Sequence, residues 1–196
     1  RRGMRGDKPR GSAVPSAGLA LEIGGGGPWQ LIAGFEGFEE TVDFQLDGAR
    51  TIAADLGLSD PQHREYSPRQ GICGRFFDVL EQAPFILRAD LPPDEVTAFV
   101  AAVQGTLPEA GALVDFGCGR ITAAVSQLTD GAWARCGALV RERQGHAVLE
   151  KAPVDFARRH DVFGLPGSDW PLVHRIKAAL DPHHVFAPGR LPGKKK

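Results

Sequence analysis

Apolar positions along this chain recur at two spacings, and the switches between them mark out its elements. Early on, "GLALEI" (18–23) reads as an edge strand and "WQLIAGFEG" (29–37) as a strand interrupted by Gly34 and Gly37. From Phe38 to Leu58 the spacing lengthens, with Val42, Leu46, Ala49, Ile52, Ala53 and Leu56 recurring at threes and fours. That is one stripe of a helix, and Gly57 stops it. The polar run "SDPQHREYSPRQG" (59–71) is a connection, and "CGRFFDVLEQ" (73–82) a short helix or turn.

Beyond it the pattern sharpens. "PFILRADL" (84–91) alternates and predicts a strand. "PPDEVTAFVAAVQG" (92–105) predicts a helix: two prolines lead in, Asp94 and Glu95 favour its positive end, and Gly105 closes it. "GALVDFG" (111–117) and "RITAAVS" (120–126) are strands joined by a tight "GCG" turn. "DGAWARCGALVRERQG" (130–145) is a helix with Asp130 as cap, and "HAVLEKAP" (146–153) is the answering strand. From residue 84 the succession βαββαβ is that of a split ferredoxin-like unit. The fold class expected is therefore α+β, an antiparallel sheet with helices on one face.

After Pro153 the regularity lapses. "VDFARRHDVFGLPGSD" (154–169) reads as an irregular crossing. "SDWPLVHRIKAALDP" (168–182) predicts a helix capped by Ser168 or Asp169, with Pro171 tolerated in the first turn. Leu172, Val173, Ile176, Ala179 and Leu180 share one face, and His174, Arg175 and Lys177 lie on the other. Pro182 disfavours helical dihedrals at Asp181 and ends the helix. In "HHVFAPGR" that follows, Val185 and Phe186 are apolar enough to be buried, Pro188-Gly189 is a turn, and Arg190 brings a fork suited to phosphate or carboxylate. Those features suit a clamp on an anionic cofactor, and an ordinary C-terminal turn accounts for the same residues.

Composition narrows the class. With 196 residues, 42% of them hydrophobic and 24% charged, the chain suits one soluble domain with a real core. A balance of 23 basic against 24 acidic residues argues against a nucleic-acid partner. No apolar run approaches the ~20 residues of a membrane span. Three cysteines, Cys73, Cys118 and Cys136, share no metal-like spacing, and a reduced, cytoplasmic setting is the simpler expectation. The opening "RRGMRGDKPRG" lacks the apolar core of a signal peptide and does not begin with Met, so it reads as part of a longer polypeptide.

Several residues invite chemistry and have plainer readings. His183 and His184 are adjacent and would diverge, which disfavours a shared metal, and His146 and His160 lack partners at ligand spacing. Cys118, beside Arg120, has no histidine or acid constellation to make it a nucleophile. Arg88 on its strand would meet a substrate carboxylate if it faced inward, and a rim position is the alternative. Trp29, Trp133 and Trp170 are core or edge-of-core residues. No metal site and no catalytic base is assigned.

The run "IKAALDPHHVFAPGR" resembles the C-terminal signature of FAD-linked oxidases of the vanillyl-alcohol-oxidase type, hydrophobic-Lys-x-x-x-Asp-Pro followed by Asn-Pro-Gly-Arg/Lys. The upstream stretches "GHAVLEKAPVDFARRHDVFGLPGSDWPLVHRIKAALDP", "PFILRADLPPDEVTAFV" and "WQLIAGFEGFEETVDFQLDGARTIAADLGL" are similar to the FAD-binding subunits of bacterial glycolate oxidases. This resemblance implies that Asp181 and Pro182 set the turn out of the last helix and that Pro188, Gly189 and Arg190 come back beside the flavin. It covers about residues 29–192, an α+β cap domain (29–153) followed by a crossing, helix and flavin-side tail (154–192); composition adds a flexible lead-in (1–28) and a basic tail (193–196). Ala187 stands where the family has Asn. The Gly-rich pyrophosphate loop of the FAD-binding domain is missing, and "GGGGP" (24–28) does not replace it. The His-Gly-Asp-Gly-Asn-x-His metal motif of related dehydrogenases is missing too.

The resemblance thus implies the cap half of an FAD-dependent 2-hydroxy-acid (glycolate-type) oxidoreductase that binds FAD weakly or not at all by itself. Its partners would be an FAD-binding domain or subunit together with iron–sulfur and flavin subunits, and any membrane association would run through them. A non-enzymatic α+β interaction or small-ligand module is the competing reading.

Overall fold

The computed structural model of the protein describes residues 19–22, 30–35, 37–58, 78–107, 110–188 and 190–193. Its described part contains β1 (Leu19–Glu22), β2 (Gln30–Ala33), α1 (Glu39–Asp55), β3 (Phe85–Asp90), α2 (Val96–Gln104), β4 (Gly111–Asp115), β5 (Arg120–Val125), α3 (Asp130–Glu142), β6 (His146–Lys151), α4 (Val154–Arg159) and α5 (Trp170–Leu180). Residues 78–82 are also helical. Of the expected lead-in over 1–28 only Leu19–Glu22 is described, and it is the strand β1; the connection over 59–71, Trp29, Cys73 and Gly189 lie outside the described residues.

Contacts divide the chain into two compact units, with the described residues from Ala33 to Leu58 in one and β1, residues 30–32 of β2 and the described residues from 78 onward in the other. In the first, α1 forms where the spacing predicts it. Glu39 and Glu40 occupy its first turn, and the chain leaves it through Gly57 at φ +66°, a left-handed conformation open to glycine. Val42, Leu46, Ala49 and Ala53 are half-buried, while Ile52 and Leu56 are exposed.

In the second unit β1 pairs with β2 and runs close to β4, while β3 to β6 make a four-stranded sheet in the order β4-β5-β3-β6. Every neighbouring pair in that sheet is antiparallel. The order puts the first and third strands of a βαββαβ unit at the centre, the split ferredoxin-like topology. Strand alternation explains which face is buried: Phe85, Leu87 and Ala89 of β3 point one way, with Ala112, Val114, Ile121, Ala123, Val125, Ala147 and Leu149 beside them. Val96 and Phe99 of α2 and Trp133, Cys136, Leu139 and Val140 of α3 close over that face. Phe99, Leu87, Val96, Val114, Val140 and Cys136 are the largest wholly enclosed side chains.

Local details refine the expectations. Asp130 does not cap α3; Thr129 does, its Oγ1 accepting from the Ala132 amide at 3.1 Å, while Asp130 opens the first turn. The threonine sits one residue earlier in extended backbone, as a capping side chain must. In the "GCG" turn Asp115 Oδ1 accepts from the amides of Gly117 (2.9 Å) and Cys118 (3.2 Å). Gly119 has φ +72°, and any Cβ there would collide with the Leu91 carbonyl. The stretch 154–169 is not wholly irregular, since Val154–Arg159 is helical and buries Phe156 edge-on against Phe85 at 5.2 Å. Val162 then accepts a backbone bond from Leu149 at 2.7 Å along the outer edge of β6.

Candidate functional site

The C-terminal segment holds the residues expected beside a cofactor, and its order begins at one carboxylate. Asp181 ends α5 and is only 5% exposed. Its Oδ1 accepts from the Val185 amide at 2.8 Å and its Oδ2 from the Phe186 amide at 3.0 Å. The Lys177 ammonium, one turn earlier, donates to Asp181 Oδ2 and to the Phe186 carbonyl. That ammonium, followed by the two amides, holds the Asp181 carboxyl below the usual carboxylate range against the opposing effect of burial. The Lys-x-x-x-Asp-Pro spacing is therefore a lock: the i, i+4 pair sits on one helix face and grips the turn beyond it.

The locked turn carries strain and then returns. His184 and Ala187 have φ +53° and +43°, a region alanine rarely occupies. The Arg190 amide donates to the Ala187 carbonyl at 3.2 Å, closing the expected turn. Next, the Gly193 amide reaches Asp161 Oδ2 at 2.7 Å, and His174 Nε2 lies 2.9 Å from the Pro192 carbonyl. Residues 192 and 193 are thus tied within the chain to His174 and Asp161.

Two expectations fail here. Val185 and Phe186 are not buried; they stand 68% and 70% exposed, because the lock uses their backbones and leaves their side chains outward. Helix α5 does not pack by its apolar stripe either. It turns Trp170, Val173, Lys177 and Asp181 inward and leaves Leu172, Ile176 and Leu180 exposed. The inward side joins Trp170 and Val173 to the Lys177–Asp181 lock, and the returning tail bonds to His174 at 2.9 Å. Asp169 occupies the cap position of α5 without making a side-chain cap bond. Pro188 and Arg190 are exposed.

The sheet face away from the helices is the other polar surface. Arg88 is neither in the core nor on a rim: it stands on central β3 between Asp90 (3.0 Å) and Glu150 (2.8 Å). Arg120 shares Asp90 through its Nε at 2.7 Å. The four side chains are about a third to a half exposed and neutralise one another, so Arg88 is committed to two carboxylates. The same period-2 pattern that buries Leu87 and Ala89 places all four on one face, a signal legible in the strands.

A cleft of about 610 Å³ opens beside the start of β6, with Asp90, Arg141, Gln144, His146, Ser168 and Asp169 among its walls. Arg141 is turned toward the Pro166 carbonyl. His160 packs on the Phe156 ring at 4.4 Å and meets Asp130 at 3.0 Å, which holds the Asp130 carboxyl low. Cys118 is exposed, and its thiol is raised by desolvation and by Asp115, the reverse of activation. Burial pushes Cys136 up to about 11. Among the described residues no three His, Cys, Asp or Glu side chains gather as a metal-holding group, and no helix is long and apolar enough to cross a membrane. No protein-family profile matches the chain, and no match was found among curated proteins or solved structures.

Proposed function

We propose that this chain is the cap and C-terminal part of an FAD-dependent 2-hydroxy-acid (glycolate-type) oxidoreductase, working with an FAD-binding domain or subunit that supplies the main cofactor site. The observation that carries the reading is the buried Asp181. A carboxylate, an ammonium and two amides are spent on holding a surface turn that gains no apolar burial within the chain. Such an arrangement suits a turn presented to another surface, with Val185 and Phe186 as its apolar contacts and Pro188 to Arg190 leading a guanidinium toward an anionic group. The antiparallel α+β unit beneath it accords with a cap.

In this scheme FAD, once bound, supplies the hydride acceptor, and electrons leave through iron–sulfur and flavin subunits. The part played by this chain is to close the cofactor's environment and to place one cation beside it. No catalytic base is assigned to it. The site residues proposed are Pro188, Gly189 and Arg190.

The test is to read the coding sequence on either side of this chain and to co-express the chain with any flavin-binding polypeptide found there. A yellow complex with flavin absorption, bleached anaerobically by glycolate or another 2-hydroxy acid, is the expected result, with Arg190→Ala lowering flavin retention. A chain that joins no flavin-binding polypeptide overturns the reading. The competing view, a small-ligand or interaction module without catalysis, draws on the cleft beside β6 and would then take its place.

A further inference from the structure

The cleft beside β6 is walled by α3, by the start of β6 and by the loop from Leu165 to Asp169 that leads into α5. Its volume of about 610 Å³ lies in the range of small-molecule sites. Backbone packing sets its depth. A Cβ at Gly145 would collide with the Asp90 carbonyl and with the Leu91 and Val140 side chains, so the wall there is bare main chain. Gln144, an exposed wall residue, has φ +57°, where glycine would be unstrained, yet the chain keeps an amide side chain at this point.

Two opposite charges line the cleft without meeting. Arg141 donates to the Pro166 carbonyl and pairs with no carboxylate among the described residues, which leaves donors of its guanidinium for a ligand. Asp169 stands at the cap position of α5 but makes no side-chain cap bond; its Oδ1 lies instead where a Cβ at Gly167 would fall. It pairs with no cation among the described residues. Asp90, the other acid there, is committed to Arg88 and Arg120.

These charges select a ligand class. A dianion such as phosphate would gain one guanidinium against Asp169 and the negative end of α3. A simple cation would leave Arg141 unanswered, and no three metal-holding side chains gather among the described residues. A zwitterion answers both charges, its carboxylate on Arg141 and its ammonium on Asp169. Leu91, Val140 and Leu165 add apolar wall, which suits an aliphatic side chain.

We propose that this cleft binds a free aliphatic α-amino acid, with Arg141 holding its carboxylate, Asp169 its ammonium and the apolar wall its side chain. The site does not rest on the flavin reading, since Asp169 and the turn at Asp181 lie at opposite ends of α5.

The experiment is an amide-resonance titration of the full chain with L-leucine, with isocaproate, which lacks the ammonium, and with isoamylamine, which lacks the carboxylate. Leucine should bind saturably and shift the Gly137, Gly145 and Gly167 amides, and each analogue should bind about ten-fold more weakly. In Arg141→Gln the affinity for leucine should fall to that for isoamylamine; in Asp169→Asn it should fall to that for isocaproate. Amide resonances away from the cleft report whether each variant keeps the parent fold, and the analogue series on the parent chain decides the matter if one does not. The proposal is overturned by a parent chain that does not bind leucine at millimolar concentration, by analogues that bind as tightly as leucine, or by folded variants that still prefer leucine to the matching analogue.

Discussion

Ala187 concentrates the tension of the C-terminal segment in one residue. Its φ of +43° places Cβ against its own backbone, a conformation that suits glycine or asparagine. Ala187→Gly should strengthen the tail by about 1 kcal/mol, read as slower amide exchange across residues 185–193. Asp181 makes an opposite prediction with pH. Its carboxyl lies below the usual range because the charged form is gripped by Lys177 and by the Val185 and Phe186 amides. A lowered folded value means that the order it confers is complete above the unfolded pKa, about 3.9, and is lost as pH falls through the folded value. The Val185 and Phe186 amide resonances should hold position down to about pH 4 and then shift together. Asp181→Asn, which replaces one acceptor by a donor, should hasten proteolysis at residues 182–188 even at neutral pH.

Among the elements, helix ends and turns show how far local rules reach. Thr129 caps α3 through the Ala132 amide, and Thr129→Ala should cost about 1 kcal/mol in urea unfolding. The positions of β3, α2, β4, β5, α3 and β6 were legible from the alternation of β3, the prolines, acids and Gly105 that bound α2, and the Gly-rich turns that separate the later runs. The choice of Asp130 over Thr129 was not, since both are good caps and only backbone dihedrals separate them. Helix α4 was hidden because Val154–Arg159 is too short to establish a period. Helix α5 was legible as a helix, yet its orientation was not. An apolar stripe normally predicts the buried side, and here a buried Asp181 with Lys177 and the tail's backbone bonds on the polar side determine which side faces inward.

For the whole molecule, the ferredoxin-like unit and the C-terminal surface should respond separately to mutation. Phe99 is 1% exposed between α2 and the sheet, and Phe99→Ala should remove about 3–5 kcal/mol, a large share of a domain's stability. Phe186, 70% exposed, should leave the thermal midpoint of the isolated chain unchanged when replaced by alanine. If it loosens a flavin-bearing complex instead, the side chain belongs to a contact between chains.

The order of strands, the antiparallel sheet and the face each strand buries were determined by the sequence itself, because side-chain alternation and helical period follow from backbone geometry within a few residues. Which residues of the tail meet, which way α5 turns and how Arg88, Asp90, Arg120 and Glu150 neutralise one another were decided only by tertiary structure. Those outcomes depend on competition among groups far apart in the chain: a buried carboxylate must find its donors, and satisfying it outweighs covering three leucine-sized side chains that another surface can cover.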